Sequence, residues 1–172
     1  SKPRDRIADR VVTTIRTAIN DNPSSSMLVF LPGQAEIGRV RDALSSLPEH
    51  LEVHCLYGNL SLEQQQAAIA PAKAGAHKIV LATNIAETSL TIDGIDVVID
   101  SGLARQARFD SSTGMTRLHT VKISQSSATQ RSGRAGRLRA GRCYRLWSQE
   151  QQHLLGQQSL PEILNADLTP FA

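Results

Sequence analysis

No stretch of the 172 residues reads G-x-x-x-x-G-K-[ST], so the chain lacks the glycine loop that cradles nucleotide phosphates in P-loop enzymes. An autonomous NTPase of that kind is excluded. Long apolar runs are missing as well: the stretch Ile92 to Ile99, with two Asp inside it, falls far short of the roughly 20 residues that a bilayer span requires. The charged start, Ser1 to Arg10, has no apolar region and does not read as a signal peptide. A soluble, cytoplasmic protein away from membranes is the expectation. Cysteine is scarce, and Cys55 and Cys143 stand far apart without a Cys or His at a metal-clamping spacing. His50 and His54 lie four apart, yet Leu51, Val53, Cys55 and Tyr57 alternate like a strand, which sets a helical metal pair aside. A disulfide scaffold and a zinc site are thereby excluded, and no metal ligand is assigned.

Acidic residues are absent from one long segment. Of 19 basic and 16 acidic residues, eight basic and no acidic ones fall between Ser111 and Gln149. The overall charge of +3 therefore conceals a basic block set against an acidic remainder. Such a block points to a polyanionic partner, either nucleic acid or nucleotide phosphate. Six of the eight are the Arg residues clustered from Arg131 to Arg145 and interleaved with Gly, and a seventh Arg stands at 117. Arg presents a planar fork of donors matched to phosphate, which a merely solvated face does not need.

What is present alternates regularly. Ile7, Val11, Ile15 and Ile19 recur every four residues and predict an amphipathic helix over 5–20. Met27–Leu31, Leu51–Tyr57, Lys78–Leu81 and Asp96–Ile99 read as short strands, the first wholly apolar and so buried on both faces. Between them lie a helix carrying Ile37, Val40, Leu44 and Leu47, and another opened by the capping pair Ser61 and Gln64 and closed before Pro71. Strand and helix in turn predict a parallel α/β sheet with helices on both faces. After Asp100 the pattern changes to Leu103–Phe109 and Met115–Ile123 around a turn-rich link, a β-hairpin standing off the sheet. Ser126 or Ser127 is expected to cap a helix running to about Arg134, and Arg142–Trp147 to form a last strand.

Two segments carry chemistry. Gln130-Arg131-Ser132-Gly133-Arg134-Ala135-Gly136-Arg137 spaces three Arg by three, so that two or three guanidinium groups can converge on one anion. With phosphate as the anion this is arginine-finger chemistry; an Arg-Gly loop that only holds nucleic acid is the alternative. Thr83 to Gly94 follows directly on a buried strand, where loops at the carboxyl end of a parallel sheet line a ligand crevice.

In this order the segments resemble the second RecA-like domain of superfamily 2 helicases of the DEAH-box RNA helicase family. The likeness covers nearly the whole chain: Leu28–Gly33 is similar to motif IV, 82–95 to motif V and 130–137 to motif VI. Gln130 and Asn84-Ile85-Ala86-Glu87-Thr88-Ser89 distinguish the DEAH branch from DEAD-box relatives, and Ser101-Gly102-Leu103-Ala104-Arg105 with Pro161-Glu162-Ile163-Leu164 resembles the bacterial HrpB type.

The resemblance implies a single RecA-like three-layer domain over 1–147 with a mostly parallel sheet and a protruding hairpin at about 103–123. It implies that 148–172 leads toward a following domain, and that a first RecA-like lobe elsewhere in the same protein carries the P-loop and holds ATP with Mg2+. Gln130, Arg134 and Arg137 would face the γ-phosphate as catalytic residues, with Ser89, Thr91, Asp93 and Gly133 on the nucleotide side. Gly33, Thr83 and Asn84 would hold single-stranded RNA, or DNA, and the hairpin would touch the strand near its 5′ side. Many family members stack a Phe on the adenine where this sequence has Ala68-Ile69-Ala70, so an aliphatic cover for the base is implied here. A nucleic-acid-binding module without catalysis is the rival function.

Overall fold

The computed structural model describes residues 3–88, 90–135 and 142–147, with side chains from residue 6 onward. Helix α1, Pro3–Asp21, starts on a proline, whose missing N–H costs nothing in a first turn. It buries Val11, Ile15 and Ala18 completely, the face that the four-residue spacing predicts. Strand β1, Ser26–Phe30, follows. Then come α2 (Gln34–Ala43), β2 (Leu51–Leu56), α3 (Leu62–Ile69), β3 (His77–Ala82), the single turn α4 (Ile85–Thr88) and β4 (Ile95–Asp100). The Ser61–Gln64 capping box at α3 forms in both directions.

Five strands make one parallel sheet in the order β2-β3-β1-β4-β7, with β7 at Arg142–Arg145. Alternation along each strand builds two cores at once. Met27, Val29, Ile79, Leu81, Val97 and Ile99 pack against α1 and α2 on one face. On the other face Leu28, Phe30, Val80 and Val98 pack against Ala68 of α3 and Ala86 of α4. The expected three-layer α/β arrangement is the one observed. Among the described residues no helix is long and apolar enough to cross a membrane.

Strands β5 (Leu103–Asp110) and β6 (Met115–Lys122) form a separate antiparallel hairpin in register from Leu103↔Lys122 to Asp110↔Met115. Its tip turns at Gly114, which takes φ +71, and Asp110 accepts hydrogen bonds from the Ser112 amide and hydroxyl. Helix α5, Gln125–Ser132, departs from expectation at both ends. Ser124 caps it, accepting from the Ser127 amide at 3.0 Å, because β6 ends at Lys122 and the chain must turn at once. It stops at Ser132, with Gly133 as its C-cap, and Arg134 just beyond donates to the Glu87 carbonyl of α4. The last strand ends two residues short of Trp147, where Leu146 and Trp147 bend away. The predicted extension 148–172 lies outside the described residues.

Candidate active site

Parallel strands all present their carboxyl ends at one edge of the sheet, so the loops that follow them are neighbours whatever their separation in sequence. Phe30 is in register with Ala82 on one side and Asp100 on the other, and Asp100 with Arg145. The ladder runs one residue further on each: Leu31 N–H donates to Ala82 O at 2.8 Å, Ser101 N–H to Phe30 O at 3.1 Å and Thr83 N–H to Leu56 O at 3.2 Å. Gly33, Thr83, Asn84 and the Ser101–Arg105 entry to the hairpin therefore gather along one rim. Gly33 is buried, Thr83 half-buried and Asn84 exposed.

The described part of motif VI approaches this rim on α5 and the residues just after it, and its two described arginines are of two kinds. Arg131 points inward and is completely buried. Its Nε donates to Glu87 Oε2 at 2.8 Å, its Nη1 to Asp100 Oδ1 at 2.8 Å and to Leu103 O at 3.2 Å, and the guanidinium lies 4.7 Å from the centre of the Phe30 ring. The convergence of Arg131 with its neighbours on one outside anion does not occur. Two carboxylates from motif V and the end of β4 need a cation when buried, and they take this one. Burial pushes the Asp100 carboxyl above the usual range, opposed by Arg131 and by the Gly102 amide, which donates to Asp100 Oδ1 at 2.8 Å.

Arg134, three residues on, is only half-buried and donates through Nη2 to the backbone carbonyl of Glu87. Glu87 thus grips motif VI twice, by its carboxylate at Arg131 and by its carbonyl at Arg134. Ala135 adds an apolar contact to the cluster containing Ala86 and Ile92. Gln130 is exposed on α5 and Gly133 is exposed at its end. Thr91 and Asp93 are exposed on the stretch entering β4, where Gly94 turns the chain with φ +80. Ser89 and Arg137 lie outside the described residues.

Spacing alone missed Glu87, Asp100 and Arg131 as a unit. The available signal was Asp100 itself, a carboxylate ending the apolar run Val97-Val98-Ile99, which demands a buried partner.

A family described as the helicase conserved C-terminal domain matches residues 10–139, which include every described candidate above. The chain belongs to this family. As a helicase C-terminal domain it is similar to the ATP-dependent RNA helicase HrpB of Escherichia coli K12, with 49% identity over 168 residues, 97% of this chain and 21% of that protein. The human putative ATP-dependent RNA helicase DHX57 is 44% identical over 154 residues, 85% of this chain and 11% of that protein. Two crystal structures of E. coli HrpB, described as a DExH-box NTPase and as a DEAH/RHA helicase, superpose with TM-scores of 0.82 and 0.83 at 48% identity. Both likenesses cover 97% of this chain and about a fifth of the solved one, 20% and 21%. The RecA-like fold of this helicase domain is therefore shown, and the chain spans between about a tenth and about a fifth of the length of these relatives.

Proposed function

We propose that this domain is the second RecA-like lobe of a cytoplasmic ATP-dependent DEAH-box RNA helicase, acting on ATP held with Mg2+ by a first lobe of the same protein. Arg134 and Arg137 stabilise the charge that develops on the γ-phosphoryl group, and Gln130 orients the attacking water. Ser89, Thr91, Asp93 and Gly133 border the nucleotide; Ile69, half-buried at the end of α3, offers an aliphatic cover for the base. Gly33, Thr83 and Asn84 face single-stranded RNA from the rim of the sheet, and the hairpin lies along the strand. Closing and opening of the two lobes then moves RNA past these loops.

The observation that carries this reading is the division of labour within motif VI. Arg131 is consumed by two buried carboxylates, so the helix is locked to the sheet, while half-buried Arg134 donates, among the described residues, to a backbone carbonyl. A guanidinium that donates to a neutral carbonyl, with no carboxylate beside it among the described residues, keeps its charge for a phosphate. Replacing Arg134 by Ala in the full-length protein is expected to lower RNA-stimulated ATPase by about 10³-fold or more, the scale of an arginine finger. Turnover within a few-fold of the wild type would remove Arg134 from the reaction and favour the nucleic-acid-binding rival.

A further inference from the structure

The Ser101–Arg105 signature ends on a residue that the reaction does not use. Arg105 is the third residue of β5, at the base of the hairpin, and its guanidinium reaches back to the sheet. Nη2 donates to Glu36 Oε1 at 2.6 Å, and Nη1 donates across the strand pair to Thr120 Oγ1. The Glu36 side chain is 3% exposed and that of Arg105 27%. Glu36 sits in the first turn of α2, where the helix dipole favours a carboxylate, and that turn begins directly after Gly33.

Gly33 lies against the same guanidinium. A Cβ at that position would stand 2.5 Å from Arg105 Nη2, 3.0 Å from Nε and 3.1 Å from Cζ. Its φ of −166 is ordinary extended backbone, so no conformational strain demands a glycine there. The demand comes from Arg105, which cannot retreat while Glu36 and Thr120 hold it. Further out, residues 106–120 are exposed apart from the partly buried Asp110. Packing does little there to fix the direction of the hairpin.

We infer that Glu36 is a positioning residue: through Arg105 it sets the angle of the β5–β6 hairpin over the Gly33 loop, so that hairpin and loop move as one body. The functional consequence rests on the proposal above, because a fixed spacing between two RNA-facing parts is what would turn lobe closure into strand separation. Loss of the pair should loosen the hairpin and spare the nucleotide side.

The test is Glu36→Gln in the full-length protein, with Arg105→Gln as the second variant, since Arg105 is the less buried partner. Hydrogen–deuterium exchange of the peptides covering 103–106 and 119–122 is expected to quicken about tenfold or more, the effect of weakening a hydrogen bond between charged groups. Strand separation should fall about tenfold while RNA-stimulated ATPase stays within about twofold, since no group at the phosphate is altered. Hairpin exchange equal to the wild type in both variants would overturn the inference. So would faster exchange across β1 and β3 with equal losses of ATPase and strand separation, the mark of a residue that only stabilises the fold. If the wild-type protein separates no strands, the helicase proposal falls and the exchange measurement alone decides the role of Glu36.

Discussion

Arg131 spends its whole charge inside the protein. It brings a single positive charge to Glu87 and Asp100, and both contacts lie at 2.8 Å in a site that excludes water. Removing it leaves two carboxylates without their counter-charge, and breaking a buried pair in this way costs about 3–5 kcal/mol. Arg131→Met should therefore lower the urea midpoint of this chain strongly at neutral pH. The loss has a definite pH dependence. Burial already raises Asp100 above 3.8, and Arg131 is the main influence opposing the rise, so the variant's Asp100 titrates higher still. A carboxyl whose folded value lies above its unfolded value binds more protons in the native state, and stability then falls as pH rises through that window. The deficit of Arg131→Met against the wild type should be smaller near pH 5 than at pH 7.5. A deficit that widens on acidification would contradict the assignment.

At the scale of elements, the end of α3 illustrates a second buried cation. Lys78, at the start of β3, is almost wholly buried, and its Nζ donates to the carbonyls of Ala67, Ala68 and Ala70. Pro71 stops the helix and leaves these last carbonyls without intrahelical partners, so the ammonium takes the place of a C-cap. It thereby fixes the end of α3 against the start of β3. Burial holds the Lys78 ammonium below its ordinary value of 10.5. A lysine with a lowered folded value binds fewer protons in the native state, so stability rises with pH between that value and 10.5. Lys78→Met removes this rise and exposes unsatisfied carbonyls, a cost of about 1–3 kcal/mol. Urea titrations at pH 7 and pH 10 should show the variant less stable at pH 7 and flatter between the two. The hairpin base rests on a third device: Gly102 takes φ +77 with the Trp147 ring where a Cβ would stand, at 2.7 Å.

For the whole molecule, the parallel sheet assembles a site that has one wall. Every described candidate lies on loops at the strand ends or on α5, and no segment of the sequence supplies a P-loop. This chain by itself should show no ATPase above background in a phosphate-release assay, with or without RNA. Its RNA binding should be weak and shallow in salt. A module that used the whole Arg block would instead lose about 0.7 log units of affinity per log unit of salt for each phosphate held on a single strand. Measured slopes equivalent to six or more phosphates would support that rival, and detectable ATPase would contradict the two-lobe account.

The layers, and where the loops fall, are legible from residue order alone. Aliphatic periodicity is local, and it identified α1, β1, α2, β2, α3, β3, β4 and both hairpin strands to within a few residues. It also carried the motifs, since glycine, arginine and glutamine at fixed spacing are visible without a fold. Which arginine faces inward is settled by the packing of distant segments. Arg131 and Arg134 stand three apart in one Arg-Gly run, and what separates them is Asp100, Glu87 and Phe30, brought together from the ends of two strands and from α4. The pairing of Glu36 with Arg105 was equally hidden, because they stand 69 positions apart. Burial of a charge is a property of the space around it, and that space exists only once the sheet has closed.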